Sequence, residues 1–299
     1  MSIAVIGAGK WGCALYHAFS ENHKPFISSI NKRDIENFIS IDEALEKEFL
    51  VFALSTQGIY EWLKTKFKNK GQKILLASKG VDYANLKFLD ELFLNFISKE
   101  QLCVLSGPSF ASEVMKKLPC ALVLSAFDEK LAKDFSNFFP SYIKTYTNTD
   151  VRGAEICGAY KNVLAIACGI SDGLRLGNNA RASLMARGLV EMHRFGKAFG
   201  ADDETFLGLS GAGDLFLSAS SALSRNYRVG FMLAEGKNLD EILLELKEVA
   251  EGVKTAFAIK ELASKEQIYT PIVNEIVLIL QGKDVKHSLK DLLRRGNAD

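Results

Sequence analysis

Short apolar runs alternate with amphipathic stretches through the first half of the chain. The runs predict strands at residues 2–6, 25–30, 49–54, 73–77, 102–106, 121–125 and 143–146. Helices are predicted between them at residues 57–67, 85–97 and 129–138, and another follows the first strand. Buried strands that alternate with helices are typical of a doubly wound, mostly parallel sheet. We therefore predict an α/β domain over residues 1–148.

The pattern changes after about residue 148, where strand-like runs stop. Apolar positions recur at helical spacing and predict helices at residues 153–169, 182–199, 204–209, 228–233, 239–249, 255–263, 271–280 and 288–294. Proline is suited to a first helical position, as Pro271 would be. The second half is therefore predicted to be an all-helical domain, residues 149–299.

Lys161 lies in the most apolar of these helices, which is polar only at Glu155, Lys161 and Asn162 between residues 153 and 170. A helix this apolar is predicted to be buried. Acidic residues are absent three or four positions away from Lys161, so it has no partner on its own helix. A buried ammonium group must find a partner elsewhere in the chain, lose its proton, face a cleft, or extend its head to water.

Composition excludes several classes of protein. The chain has 299 residues, 48% of them hydrophobic, and a formal net charge of +1, so it lacks the basic surface typical of nucleic-acid binding. Five widely spaced cysteines and four scattered histidines predict reduced thiols and no metal site. The apolar runs are too short to span a bilayer, and residues 1–9 do not resemble a signal peptide, so we expect a cytoplasmic protein.

A glycine-rich turn follows the first predicted strand, in the spacing Gly7, Gly9 and Gly12. The first glycine permits the tight turn, the second lets the backbone approach a pyrophosphate, and the third lets the helix pack closely on the strand. The helix N-terminus then faces the phosphates. Together with the strand at residues 25–30, the turn completes a βαβ unit and predicts a dinucleotide site in a Rossmann-like domain.

The end of the second predicted strand bears on which dinucleotide is preferred. An acidic residue there usually binds a free ribose 2′-hydroxyl, whereas a 2′-phosphate favours cations. The residues are Asn31, Lys32 and Arg33, and Asp34 comes one position too late. This favours NADP and leaves NAD possible, with the alternative that Lys32 and Arg33 are simply solvated loop charges.

Four further segments have the composition of a binding site rather than of simple connectors. Lys79 and the turn from Ser106 to Ala111 follow predicted strands at the edge of the sheet where ligands bind. The glycine-rich segment 208–213 ends by presenting the carboxylate of Asp214. Ser224, Arg225 and Asn226 surround an arginine with hydrogen-bond donors, which suits an anion, although the same residues could be an ordinary helix cap.

These segments also resemble, in order and over nearly the whole chain, the bacterial NAD(P)-dependent glycerol-3-phosphate dehydrogenases. The matching segments are IGAGKWG from Ile6, ASKG from Ala77, SGPSFASEV from Ser106, GAYKNVLAIACGISDGLRLGNNARASL from Gly158, GLSGAGDL from Gly208, SRNYRVG from Ser224 and VAEGVKT from Val249. The resemblance implies reversible reduction of dihydroxyacetone phosphate to sn-glycerol 3-phosphate, a phosphorylated small molecule used in phospholipid synthesis.

The resemblance also implies a role for individual residues. Lys161 matches the general acid/base at the C2 oxygen and also contacts the substrate. The other implied substrate contacts are Lys79, Gly107, Ser109, Asp214, Ser224, Arg225 and Asn226. The implied cofactor contacts are Lys10, Trp11, Asn31, Lys79, Ala111, Arg225, Val249 and Glu251, beside the three glycines and Lys32. To act as a base, a lysine with an ordinary pKa of about 10.4 would need burial or a neighbouring cation, such as Lys79 or Arg225, to lower that value.

One departure from the family pattern lies between the second and third predicted strands, where a longer loop with a Leu-Pro-Gly element is usual and is missing here. It makes the cofactor preference less secure. Two alternatives remain open: another hydroxyacid reductase that combines a Rossmann-like and a helical domain, and a non-catalytic NADP-binding protein. A homodimer formed through the helical half is also compatible with the sequence.

Overall fold

A computed structural model describes residues 1–246 and 250–294. Seven strands of the first half form one sheet in the order β2-β1-β3-β4-β7-β8-β9. Two further strands, β5 and β6, pair as a small antiparallel hairpin. The strands are β1 (Ile3–Ile6), β2 (Phe26–Ser28), β3 (Phe49–Phe52), β4 (Lys73–Leu76), β5 (Val81–Asp82), β6 (Lys87–Phe88), β7 (Leu102–Ser106), β8 (Cys120–Ala126) and β9 (Ile143–Asn148).

Six helices accompany these strands. They are α1 (Lys10–Ser20), α2 (Ile41–Leu45), α3 (Ile59–Lys66), α4 (Leu89–Phe93), α5 (Ala111–Val114) and α6 (Glu129–Ser136). Successive side chains of a strand point to opposite faces of the sheet, so β3 places Phe49 and Val51 in one core and Leu50 and Phe52 in the other. Both faces are buried, as a doubly wound sheet requires.

The structure corrects one detail of the first half and adds another. The helix predicted at residues 85–97 is confined to α4, because residues 81–88 are used by the β5–β6 hairpin. Within the otherwise parallel sheet, β8 runs antiparallel to β7. The short helices α2 and α5 carry too few apolar positions for periodicity to reveal them, although the reciprocal hydrogen bonds between Ser40 and Glu43 mark the start of α2.

Helices make up the second half of the described chain. They are α7 (Val151–Gly173), α8 (Asn178–Ala198), α9 (Asp203–Leu207), α10 (Asp214–Ala219), α11 (Arg225–Ala234), α12 (Leu239–Leu246), α13 (Glu251–Lys265), α14 (Pro271–Leu280) and α15 (Val285–Arg294). A π-helical turn, Leu209–Gly213, leads directly into α10. The all-helical prediction is confirmed, but α10 was not predicted as a helix.

The helix α7 is buried along most of its length and packs backbone to backbone on α11. A Cβ atom on Gly169 would lie 2.0 Å from the carbonyl oxygen of Tyr227, and one on Gly230 would lie 1.9 Å from that of Ile166. Glycine at both positions is therefore required for this close approach.

Contacts within the chain divide it into two units, Met1–Glu155 and Ile156–Asp299. The strands end at Asn148, where the sequence placed the domain boundary, and the division by contacts falls a few residues later, inside α7. Among the described residues, none of the helices is both long and apolar enough to cross a membrane.

Candidate functional site

The glycine turn after β1 has the geometry expected for close approach of a phosphate. Gly7 has φ of +118°, and a Cβ atom there would lie 2.3 Å from the carbonyl oxygen of Ala53. At Gly12 a Cβ atom would lie 1.7 Å from the carbonyl oxygen of Gly7. A Cβ atom on Gly9, in contrast, would meet no atom within 4 Å, so this part of the backbone faces open space. The residues present thus fit a dinucleotide pyrophosphate.

Helix α1 begins at the same turn and is open to an anion. Its N-cap is Gly9, so the first amide groups of the helix receive no capping hydrogen bond from that residue's side chain. Lys10 is exposed at the first helical position, and Trp11 packs partly against the core. A helix N-terminus with a nearby lysine favours negative charge.

The end of β2 lies beside the glycine turn, because the amide of Gly7 donates to the carbonyl oxygen of Ser28 at 2.8 Å. Asn31 and Lys32 follow on an exposed loop, where the hydroxyl of Ser29 donates to the carbonyl oxygen of Asn31 at 2.6 Å. The short connection that continues to β3 contains α2. The predicted contacts with the adenosine end of the cofactor are therefore accessible.

The ends of β4 and β7, which are neighbouring parallel strands, bring Lys79 and Gly107 together. The ammonium group of Lys79 donates to the carbonyl oxygen of Gly107 at 3.3 Å, and the hydroxyl of Ser109 donates to the same oxygen at 3.3 Å. Gly107 has φ of +105° and lies close to β8. Ala111 follows as the first residue of α5 and packs against the core.

In the second unit, Lys161 meets a partner from elsewhere in the chain, which is one of the outcomes that the sequence left open. Its ammonium group forms a buried ion pair with Asp214 and donates to the hydroxyl of Ser218 at 3.1 Å. All three residues are buried, at 7%, 1% and 5% exposure respectively. Asp214 and Ser218 are one turn apart on α10, so both face the same side of that helix.

The glycine-rich segment before Asp214 is a packed structural element. It forms the π-helical turn, and a Cβ atom on Gly211 would lie 2.2 Å from the carbonyl oxygen of Phe206. Larger residues would push this turn away from α9. The glycine is therefore needed to bring the carboxylate of Asp214 into position at the start of α10.

Asn226 lies beside the start of α13 and close to α7. Its side-chain oxygen accepts a hydrogen bond from the amide of Gly252 at 3.0 Å. A Cβ atom on Gly252 would lie 2.8 Å from the carbonyl oxygen of Asn162, the residue after Lys161. Asn226, Gly252 and the neighbouring Glu251 are thus gathered next to the lysine-bearing turn of α7.

Ser224 is the N-cap of α11, and its hydroxyl oxygen accepts a hydrogen bond from the amide of Tyr227 at 3.3 Å. Ser224 is therefore a helix cap, which is the alternative to an anion site that the sequence left open. Arg225 is the first residue of the helix and is exposed. A capping role leaves the exposed guanidinium of Arg225 able to meet an anionic ligand.

Two family models match this chain. The model described as NAD-dependent glycerol-3-phosphate dehydrogenase C-terminus matches residues 150–290, and the corresponding N-terminus model matches residues 30–132. The chain belongs to the NAD-dependent glycerol-3-phosphate dehydrogenase family.

Individual relatives agree with this assignment. The chain is 66% identical over 297 residues to a glycerol-3-phosphate dehydrogenase [NAD(P)+] of Campylobacter jejuni, covering 99% of this chain and 100% of the relative. A protein of the same name from Sulfurimonas denitrificans is 52% identical over 291 residues, with coverage of 97% and 98%. A crystal structure of glycerol-3-phosphate dehydrogenase from Coxiella burnetii superposes with a TM-score of 0.91 at 31% identity, covering 98% of each chain.

In this family member, the structure adds two residues, Ser218 and Asn162, to the candidate site. One of the predicted site residues lies in a segment that the structure does not describe. Ser218 was not singled out in the sequence, although its position one turn after Asp214 was a usable signal. Asn162 was noted only as a polar position, and its carbonyl oxygen proves to lie beside Gly252. Val249, an expected cofactor contact, lies outside the described residues.

Proposed function

We propose that this chain interconverts dihydroxyacetone phosphate and sn-glycerol 3-phosphate with a nicotinamide dinucleotide. The observation that carries the proposal is the buried contact of Lys161 with Asp214 and Ser218, in a chain of the glycerol-3-phosphate dehydrogenase family. The product would supply the glycerol backbone for phospholipid synthesis. None of the five cysteines, all of which lie among the described residues, forms a disulfide, which is consistent with a reducing compartment, and our proposal places the reaction in the cytoplasm.

The role of Lys161 in this proposal is to move one proton at the C2 oxygen. A neighbouring carboxylate favours the charged form of a lysine, so Asp214 keeps Lys161 as an ammonium group that is ready to donate. Ser218 accepts a second hydrogen bond and restricts the direction of the remaining N–H bond. The nicotinamide, when bound, supplies or accepts the hydride. Lys161 would therefore protonate the C2 oxygen as the ketone is reduced, and the same group would take the proton back in the reverse reaction.

The phosphate and the remaining hydroxyl groups of the substrate need hydrogen-bond donors from the protein. In the first unit, the proposal assigns this task to Lys79, Gly107 and Ser109 at the ends of β4 and β7. In the second unit it assigns it to Ser224, Arg225 and Asn226, with Arg225 as the principal cation because it is exposed at a helix N-terminus.

The experiment that tests the reaction is oxidation of NADPH, followed by absorbance, with dihydroxyacetone phosphate as the substrate. We expect Lys161→Met to lower kcat by about 10²–10⁴-fold, because proton transfer by a positioned group contributes about that much. Lys197→Met, which removes an exposed lysine on α8, is the matched control and should retain wild-type kcat. Absence of turnover in the wild-type protein would refute the substrate, and wild-type turnover in Lys161→Met would refute the assigned acid.

For the cofactor, we propose a preference for NADP over NAD, supported by the exposed Asn31 and Lys32 after β2. The ratio of kcat/KM for NADPH and NADH measures it. Lys32→Glu should shift this ratio toward NADH, since a carboxylate repels the 2′-phosphate. Lys68→Glu changes the same charge on another exposed loop and should leave the ratio unchanged; an equal shift in both variants would contradict a local role for Lys32.

We also propose that the protein is a homodimer formed through the helical half. The side chains of Val190 on α8 and Leu207 on α9 are 56% and 76% exposed and lie at the same surface depression. Exposed apolar groups of this kind favour burial in an interface. Sedimentation analysis tests this proposal: Leu207→Glu should convert a dimer to a monomer, and a wild-type monomer would refute it.

A further inference from the structure

The segment that follows β4 carries Lys79, and hydrogen bonds hold it on both sides of that lysine. Ser78, the residue before the lysine, is buried. Its hydroxyl accepts from the amide of Leu54 at 3.0 Å and donates to the carbonyl oxygen of Leu54 at 2.6 Å. Leu54 follows β3, the strand that pairs with β4. The backbone just before Lys79 is therefore fixed to the end of the neighbouring strand.

The second tie lies beyond the lysine and is made by the side chain of Gln57, in the connection from β3 to α3. Its amide nitrogen donates to the carbonyl oxygen of Val81 at 2.9 Å, and its amide oxygen accepts from the backbone amide of Tyr83 at 3.2 Å. A neighbouring strand would pair with a carbonyl and an amide two residues apart in the same way. The side chain of Gln57 thus takes the place of a short extra strand on the β5–β6 hairpin.

This tie requires a side chain that donates and accepts at the same time. Glutamine does both, whereas a carboxylate only accepts and a methionine thioether does not donate. The amide nitrogen of Gln57 is oriented further by a hydrogen bond to the hydroxyl of Thr56 at 3.1 Å. Val81 is buried, so loss of the donor would leave a buried carbonyl oxygen in need of another partner.

Lys79 lies between the two ties, at the edge of the sheet where ligands bind. Its side chain is long and flexible, so the region that its ammonium group can reach depends on where the backbone is held. In this structure the ammonium group donates to the carbonyl oxygen of Gly107 at 3.3 Å. A displaced hairpin would move the backbone of Lys79, and the ammonium group with it, away from the end of β7.

We propose that Gln57 is a positioning residue that acts through Lys79. By holding the β5–β6 hairpin against the connection from β3 to α3, it fixes the backbone from which the lysine reaches its ligands. This inference rests on the substrate contact assigned to Lys79 under the proposed function.

The principal test is the kinetics of Gln57→Met, which keeps the length of the side chain and removes both of its hydrogen bonds to the hairpin. We expect KM for dihydroxyacetone phosphate to rise about tenfold, because a misplaced ammonium group loses about the value of one charged hydrogen bond. The change in kcat should be less than about threefold, because Lys161 and Asp214 are unchanged and only binding is weakened.

Gln101→Met is the matched control. Gln101 is also half-buried, and its side chain also joins two backbone groups of the first unit, donating to the carbonyl oxygen of Gln72 at 2.8 Å and accepting from the amide of Ser98 at 3.1 Å. These groups precede β4 and β7, whereas Lys79 and Gly107 follow them. Gln101→Met should therefore lower the unfolding temperature about as much as Gln57→Met does, and leave KM and kcat at wild-type values.

A double-variant cycle shows whether Gln57 acts through the lysine. Lys79→Met should raise KM by about 10²-fold, since it removes the charged contact altogether. Gln57→Met/Lys79→Met should raise it no further, because a residue that acts through another has no effect once that other is gone. A wild-type KM in Gln57→Met, or increases in KM that add in the double variant, would overturn the positioning role and leave the role of Lys79 standing.

Hydrogen exchange, measured by mass spectrometry on the full chain without substrate or cofactor, tests the tie independently of turnover. In Gln57→Met the segment 79–88 should exchange at least about threefold faster than in the wild type, because the amide of Tyr83 loses its acceptor. In Gln101→Met its exchange should be unchanged.

Two negative results are distinguishable in this design. Unchanged exchange in Gln57→Met would overturn the proposed tie, whatever the kinetics. Faster exchange in Gln57→Met together with a wild-type KM in Lys79→Met would instead refute the substrate contact assigned to Lys79, and the positioning role would be refuted with it.

Discussion

Glu155 and Lys161 are buried six residues apart on α7. Burying a charged group is unfavourable, and the two side chains meet this penalty in opposite ways. Glu155 lies beside another carboxylate, Asp90, and its oxygen accepts a hydrogen bond from the amide of Asp90 at 3.2 Å. Burial, and then the charge of Asp90, raise the pKa of Glu155 to about 8. Lys161 lies instead beside a group of opposite charge and keeps a hydroxyl acceptor as its second partner.

The comparison shows that burial of an ionisable group does not by itself indicate catalysis. At Glu155 burial and the charge of Asp90 raise the pKa and so favour the protonated acid. Arg152 is engaged with Asp90 at 2.9 Å and with Glu91 at 3.2 Å. This cluster of Asp90, Glu91, Arg152 and Glu155 joins the start of α7 to α4, so its role is structural. At Lys161 the neighbouring group is a carboxylate, which favours the charged form of a lysine, the form that can deliver a proton to a ketone oxygen.

The largest effect is expected when the compensating charge of Lys161 is removed. Asp214→Asn keeps the shape of the side chain but leaves a buried ammonium without its counter-charge, so we expect a loss of about 3–5 kcal/mol in the free energy of unfolding. We also expect kcat to fall by about 10²-fold or more, because the proton donor loses its orientation. Urea unfolding and the NADPH assay measure the two effects.

A double variant separates the charge from the packing. Replacing both partners, as in Lys161→Met/Asp214→Leu, should restore most of the lost stability while the protein stays inactive, since a buried ion pair can often be replaced by apolar residues without net cost. If the double variant were no more stable than Asp214→Asn, the ion pair would owe its stability to something other than charge compensation.

The sequence predicts those parts of this site whose residues are close together in the chain better than those whose residues are far apart. The glycine turn was predictable because Gly7, Gly9 and Gly12 act on the backbone within a few residues of each other. The burial of α7 and the lack of a partner for Lys161 on its own helix were predictable from the apolar run and the missing acidic neighbours. The identity of that partner was not, because Asp214 follows 53 residues later and spacing alone does not relate the two.

The remaining differences between the predicted and the observed elements have the same origin. Residues 85–97 contain enough apolar positions for a helix, but pairing of β6 with β5 takes the first part of the segment. The direction of β8 depends on how the chain returns to the sheet beside β7 after α5, which no local pattern encodes. Ser218 was missed because α10 is short and its serine has a role only when Lys161 is beside it.

An intermediate effect, dependent on pH, is expected from Glu155→Gln. A carboxyl whose pKa is raised in the folded state keeps its proton while the unfolded chain has lost it. The wild-type protein should therefore lose stability as the pH rises from about 4.5 to about 8. Glutamine cannot ionise, so the variant should gain stability relative to the wild type as the pH increases through this range.

Urea unfolding at pH 5 and pH 8 measures the difference. Glu261→Gln removes an exposed carboxylate on α13 and controls for the change in net charge. The remaining charged groups at this cluster are Asp90, Glu91 and Arg152, and burial also raises the pKa of Asp90, so a smaller slope of the same sign should persist in Glu155→Gln. A slope identical to that of the wild type would show that Glu155 is ionised in the folded protein.

The smallest effect is expected at Tyr160, which precedes Lys161 and contacts a third buried ionisable group. Its hydroxyl donates to Glu191 at 2.9 Å, and Glu191 also accepts hydrogen bonds from the amides of Ile272 and Val273 at the start of α14. Tyr160→Phe keeps the ring against Phe195 and removes a single hydrogen bond, so we expect a loss of about 1.5 kcal/mol in the free energy of unfolding.

Because the phenylalanine ring can stay packed against Phe195 on α8, α7 should keep its orientation in this variant. We therefore expect kcat to fall by less than about tenfold, a change of at most about 1.4 kcal/mol in the activation barrier. Urea unfolding and the NADPH assay again provide the readouts. A loss of kcat as large as that of Asp214→Asn would mean that the Tyr160–Glu191 contact, and not the Asp214 carboxylate alone, holds Lys161 in its reactive position.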